Sequence, residues 1–417
     1  MKNSKNKRIG ITSKTDHQLK QLVISASCLL LAGLSSTSVF LIKKNLDPTA
    51  TQTDKLPVIV VETSLSSSEE FTEDSSSTVF FVDSPVGKLL AQADALASGY
   101  DYDAAIALLQ SNSEYGSDPA IQETIAAYET ARSSLVKVKI SEVTHIFFHS
   151  LVVDNQKAFD GEDDSDGYNQ VMTTTGEFEK ILESLYEKGF VLVRMHDMAY
   201  ETKDENGNTI MKPGTILLPE GKRPLVISQD DVCYYPYMND DGFAKRIIIG
   251  ENGKPTCVME LEDKTEVVGS YDLVPLLEDF IQEHPDFSYR GARAVIAFTG
   301  YQGILGYRTA ASYSESPTYE QDRQTAAAVA QCLRDNGWEL ASHSWGHRDL
   351  GNIDFDKFTT DSNKWENEVE SLIGPTDIIL FPFGADVGDW HPYTHENPRF
   401  DYLWNLGFRY FCNVDSS

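Results

Sequence analysis

The stretch "ELASHSWGHRDL", Glu339 to Leu350, carries the decision about the fold. Its first half is an apolar run of strand character that ends at His343, and His347 comes four residues on. Two histidines so placed read either as metal ligands at a strand end or as ordinary core and capping residues. The stretches around them separate the two readings.

Apolar, β-rich runs recur on both sides, with room for helices between them. They are Thr144–His149, Phe190–Val193, Pro224–Ser228, Ala294–Thr299, Trp338–His343, Asp377–Phe381 and Arg409–Val414. In the gaps Phe178, Ile181, Leu182 and Leu185 share one helical stripe, Leu273, Leu276, Leu277, Phe280 and Ile281 a second, and Trp365, Val369, Leu372 and Ile373 a third. Asn336-Gly337 and Gly374-Pro375 supply stops before the next strands. "IIIGENGKPTCVME" reads as a surface hairpin inserted after the third strand. Strands alternating with helices predict an α/β fold on a parallel sheet. In α/β barrels the reactive groups gather where the strands end. Here those ends deliver His149, then Asp230 and Asp231, then His343 and His347, and then the turn Pro382-Phe383-Gly384.

A mononuclear Zn²⁺ site needs three protein ligands and an open position, and two histidines with a carboxylate form such a set. Asp231, His343 and His347 would supply it. On an extended backbone the neighbouring Asp230 projects the other way, so one carboxylate can bind metal while the other takes a proton. Each piece alone has a plain rival: a His pair that caps or packs, an Asp pair that caps a helix. Their coincidence at strand ends favours the site.

The chain of 417 residues has room for one large domain plus extras. Lys and Arg total 35 against 64 Asp and Glu, a net charge of −29 that excludes nucleic acid held by phosphate neutralisation. Leu22–Ile42 carries no charge and is long enough to cross a hydrocarbon core. Lys2, Lys5, Lys7, Arg8, Lys14 and Lys20 precede it, which predicts a cytoplasmic tail (residues 1–21), a single-pass anchor in the cell membrane (22–42) and the remainder outside. A cleaved signal peptide is the competing reading. Residues 43–84 are Ser/Thr-rich and acidic, a disordered linker. Residues 85–136 are Ala-rich and amphipathic, a small helical spacer with a faint likeness to one tetratricopeptide unit. The catalytic region spans 138–417, and its last strand has no helix after it, as in a truncated reading frame. Cys233, Cys257, Cys332 and Cys412 show no CxxC spacing and so no zinc knuckle or redox pair, and their pairing stays open.

The motifs resemble those of the polysaccharide deacetylases of carbohydrate esterase family 4. "LVISQDDV" looks like the family's TFDDG segment, "ELASHSWGH" its double-histidine segment, "AVIAFTG" the strand written ATFFVTG, and "LFPFG" its Pro-aromatic-Gly turn. The resemblance covers about 144–415. It implies a distorted (β/α)7 barrel, Asp230 as catalytic base, Asp231, His343 and His347 as ligands of Zn²⁺ or another divalent transition metal, and the backbone N–H of Phe383 at the oxyanion. It implies hydrolysis of acetyl groups from an acetylated polysaccharide of the cell wall or surface, with N-acetyl groups of GlcNAc units expected. Tyr234, Pro382, Asp386 and Trp390 are candidates for the substrate groove. The sequence departs from the family pattern twice. The Arg expected two residues before Pro382 is Leu380, and no Leu-x-His stands near the C-terminus. The motif order is closest to the permuted poly-N-acetylglucosamine deacetylases, whose early strand-end histidine "FFHSL" matches, making His149 the general acid. The competing function is a non-catalytic cell-surface glycan-binding protein built on the same barrel.

Overall fold

A computed structural model describes residues 84–161, 164–389 and 391–413. The expected tail, anchor and almost all of the linker lie outside these residues, as does Trp390. Among the described residues no helix is long and apolar enough to cross a membrane.

The described residues begin with three helices, α1 (Pro85–Ser98), α2 (Tyr102–Ser111) and α3 (Pro119–Ser133). The Ser84 and Asp118 side chains cap α1 and α3, each with proline in the first turn, where a missing N–H costs nothing. Their shared core is small: Leu89, Ala93, Leu109, Ile121 and Ile125. Tyr100 Oη donates to the Asp286 carbonyl at 2.9 Å, and Arg290 N donates to the Gly99 carbonyl at 2.7 Å, which ties this helical unit to the α/β region.

The centre of the molecule is a parallel sheet of seven strands, at the positions expected from the sequence. They are β1 (Thr144–Phe148), β2 (Phe190–Leu192), β3 (Arg223–Gln229), β4 (Val295–Phe298), β5 (Glu339–Ser342), β6 (Ile378–Leu380) and β7 (Tyr410–Cys412). The order is β7-β6-β5-β4-β3-β1, and β2 shares the β4 edge of β3. The sheet curls, so that Thr144, His145 and Phe147 of β1 line one crevice of about 370 Å³ with Leu380 of β6 and Cys412 of β7.

Side-chain alternation splits the core in two. Outward residues Leu225, Ile227, Ile296, Phe298, Leu340 and Phe381 pack against helices α4 (Thr175–Glu187), α5 (Leu273–Glu283), α6 (Tyr319–Asp335) and α7 (Phe355–Trp365). Inward residues Val191, Val226, Val295, Ala297, Ala341, Ile378 and Leu380 fill the concave side. Thr174 and Glu177 form a reciprocal capping box that starts α4. The insertion after β3 is a three-stranded antiparallel sheet, Arg246–Ile249, Pro255–Glu260 and Glu266–Gly269, one strand more than the expected hairpin.

The N-terminal end of the sheet is closed by a charged plug that the sequence did not advertise. Glu339, the inward residue at the start of β5, accepts from Met195 N at 2.7 Å and pairs with His196 Nδ1. His196 Nε2 meets Asp377 Oδ1 at 2.9 Å. Burial opposes charge on this imidazole, but hydrogen bonds to Asp377 and Glu339 outweigh it and hold its pKa at about 10 against an ordinary 6.5. The folded value is the higher one, so this contribution to stability is complete below about pH 6.5 and is lost as pH rises through about 10. Thermal melting of the wild type should therefore fall between pH 7 and 10.5, and His196→Gln should flatten that fall while lowering the melting temperature at neutral pH.

Candidate active site

Continuing the inward alternation past the C-terminal ends of the strands replaces apolar residues by polar ones: Ser228 and Asp230 after Val226, Thr299 after Ala297, His343 after Ala341. The sequence-derived residues Asp230, Asp231, His343, His347 and His149 are thereby brought to one mouth. Asp231 and His347 stand close enough to His149 and His343 to act on the protonation of those two rings.

Asp231 leaves the strand in a left-handed conformation, φ 59°, rather than the extended one expected. Its Oδ1 accepts from Tyr235 Oη at 2.5 Å and Thr299 Oγ1 at 2.7 Å. The hydrogen bonds to this carboxylate thus fall on one oxygen. Asp230 is buried, which pushes its carboxyl up to about 7 despite a hydrogen bond from Ser228.

His343 is 3% exposed, and its Nδ1 lies 3.0 Å from the Leu380 carbonyl. A carbonyl only accepts, so Nδ1 carries the proton and Nε2 keeps its lone pair for the mouth. Burial pushes the His343 pKa down to about 4, leaving the ring neutral, as a metal ligand must be. His347 stands at φ 49°, with its ring 5.1 Å from His343 and edge-on to Phe383 at 4.6 Å. Gly346 does not supply the left-handed residue of this turn; Ser344 (φ 58°) and His347 do. Glycine is needed for a close approach: a Cβ there would stand 2.9 Å from Asp361 Oδ2. That buried carboxylate, from α7, accepts from Trp345 N at 2.8 Å and Gly346 N at 2.9 Å and clamps the turn.

His149 is half-buried with its pKa lowered by burial, and its Nδ1 is buried without a hydrogen-bond partner. Phe383 is 71% exposed at φ 61°, holding its backbone in an unusual orientation beside His347. The groove candidates fare differently. Tyr234 is only 2% exposed, its hydroxyl 2.5 Å from Asp272 Oδ2, so it belongs to the core and cannot stack on a sugar. Pro382 is buried, and Asp386 is occupied by Gly388 N, Asp389 N and Asn413 Nδ2. The aromatic surface is offered instead by Tyr237, 53% exposed, stacked at 5.2 Å on Tyr235, which stacks at 5.3 Å on Tyr301. The run "YYPY" was a signal for it, but the kink at Tyr234 (φ 52°) decides which rings face out.

The site fits a metal ion in chemistry more than in arrangement. Among the described residues no three His, Cys, Asp or Glu side chains already stand in a metal-holding arrangement. The donor chemistry fits an ion all the same: a neutral imidazole with Nε2 free, a second imidazole beside it, and a carboxylate steadied through one oxygen.

Beneath these groups lies Asp272, the fully buried cap of α5. It accepts from Leu151 N at 2.9 Å, Leu273 N at 2.8 Å, Gln229 Nε2 at 2.9 Å and Tyr234 Oη, so the loops carrying His149 and the two aspartates are held by one carboxylate. Nothing in the local sequence pattern singles it out.

No family model and no curated protein matches the chain. Among solved structures it is similar to the Streptococcus pyogenes deacetylase PplD in complex with acetate, at 12% identity and TM-score 0.33, over 66% of this chain and 82% of that one. It is also similar to a Bacillus anthracis protein, BA0330, assigned as a polysaccharide deacetylase, at 10% identity and TM-score 0.33, over 67% of this chain and 58% of that one. Likeness this distant carries no argument about the activity of this chain.

Replacing Asp272 by Ala strands several buried donors, at about 1–3 kcal/mol for each. Urea unfolding should show a loss of several kcal/mol in stability, and a change under about 1 kcal/mol would contradict the role given to this carboxylate.

Proposed function

We propose that the chain is a metal-dependent deacetylase that hydrolyses acetyl groups, most simply the N-acetyl groups of GlcNAc units, from a cell-wall or surface polysaccharide, working outside the membrane on a single-pass anchor. The observation that carries this is the convergence of Asp230, Asp231, His149, His343 and His347 at the C-terminal ends of parallel strands, with His343 held in the ligand tautomer. The closed form of the fold would be a distorted (β/α)7 barrel, and the early position of His149 matches the permuted motif order.

Asp231, His343 and His347 would hold Zn²⁺ or another divalent transition metal. Such an ion supplies Lewis acidity toward the acyl carbonyl and lowers the pKa of a water to about 7. The chain's own groups do the rest. Asp230 takes a proton from the attacking water as a C–O bond forms at the acyl carbon. The N–H of Phe383 would donate to the developing oxyanion, where a donor is worth about 3–4 kcal/mol. His149, entering the step as the imidazolium, gives a proton to the departing nitrogen as the oxyanion collapses and the C–N bond breaks, leaving acetate and a free amine. The exposed Tyr237 ring offers a flat face to a pyranose.

A second reading, a glycan-binding protein without turnover, is favoured by the unassembled metal arrangement and by Leu380 at the usual arginine position. Release of acetate from chito-oligomers or acetylated polysaccharide separates the two. The full-length protein in detergent should lose activity on chelation and regain it with Zn²⁺, and Asp230→Asn should lower kcat by about 100-fold or more. His343→Ala should lose both bound metal and activity; wild-type turnover in either variant would sink the assignment.

A further inference from the structure

Among the described residues the carboxylate assigned as base has no cation beside it. Among the described residues Asp230 forms no ion pair, and Leu380, where the resembled family carries arginine, is an apolar side chain lining the same crevice. What reaches Asp230 is a hydroxyl: Ser228 Oγ donates to Oδ1 at 3.2 Å. Behind it, His145 Nε2 stands 3.0 Å from the same Oγ.

Strand geometry makes this line of three residues. Ser228 and Asp230 are two apart and project to the same concave face. In the parallel pairing of β1 with β3, His145 lies opposite Val226 and Phe147 opposite Ser228, so His145 sits one pleat behind and reaches forward to the hydroxyl. The serine has a single proton, and the carboxylate accepts it; its lone pairs then accept the Nε2–H of His145. Donors in series polarise one another, which tightens the hold on the final acceptor.

We propose that Ser228 and His145 are positioning residues that orient the Asp230 carboxylate for proton abstraction, a hydroxyl backed by an imidazole in place of a cation. The inference rests on the deacetylase reading, since it assigns Asp230 the base role. It predicts that the two residues act as one unit and act on kcat.

The test uses the full-length protein, zinc-loaded. Ser228→Ala should lower kcat about tenfold or more with KM, zinc stoichiometry and melting temperature little changed, and Ser228→Thr, which keeps the hydroxyl, should recover most of it. His145→Ala should lower kcat by a smaller factor, His145→Gln should recover it through its amide donor, and the Ser228→Ala/His145→Ala double variant should be no slower than Ser228→Ala alone, the non-additivity expected of residues in series. Nitrogen-15 NMR at pH 7.5 should find His145 in the Nε2–H tautomer, with that signal shifted in Ser228→Ala. An active wild type whose Ser228→Ala variant keeps its kcat, multiplicative losses in the double variant, or an Nδ1–H tautomer at His145 would overturn the relay. A zinc-loaded wild type that releases no acetate from any acetylated glycan would instead overturn the deacetylase reading beneath it, and the tautomer distinguishes the two failures.

Discussion

The buried carboxylate of Asp272 is the constraint on which the working end of the molecule depends. A charge in this position is tolerable only because donors from separate segments surround it. Leu151 belongs to the loop after β1, Gln229 to the end of β3, Tyr234 to the loop after it, and Leu273 to the first turn of α5. Burial raises its pKa, and the four donors pull the other way. Displacing any one of these segments leaves buried donors and a buried carboxylate unmatched, so the loops that carry His149 and the aspartate pair move together or not at all.

The concave face of the sheet is graded from end to end. At its floor Glu339, His196 and Asp377 seal the sheet with charge; in the middle Val226, Val295, Ala297, Ala341 and Ile378 exclude water; at the mouth Ser228, Asp230, Thr299 and His343 present polar groups. The grading comes from period two alone. Each strand contributes alternate residues to this face, and lengthening an apolar pattern by one more inward position puts chemistry at the rim.

That regularity explains what was legible in the sequence. All seven strands, the α4 and α5 stripes, and the aspartates and histidines at the strand ends can be read from local periodicity, which each segment carries within itself. The supports of the site cannot. Asp361 clamps Trp345 and Gly346 from a helix, Asp272 lies 121 residues from Leu151, and His145 lies 83 from Ser228, so their roles exist only after the sheet has formed. Tyr234 shows the opposite failure. Its place just after the aspartate pair pointed to the substrate groove, but the left-handed residues at Asp231 and Tyr234 turn its ring into the core and leave Tyr237 to face outward. Backbone kinks at strand ends are invisible to pattern reading for this reason.

The same kinks have a cost. Asp231, Ser344, His347 and Phe383 all occupy left-handed backbone without being glycine, at roughly 1–3 kcal/mol each. Four such positions within one mouth amount to a sizeable fraction of the stability of an ordinary domain. Glycine would relieve that load at any of the four and would also erase the side chain or the rigidity that the position provides. Heat tolerance and an intact mouth therefore pull in opposite directions at the same four residues.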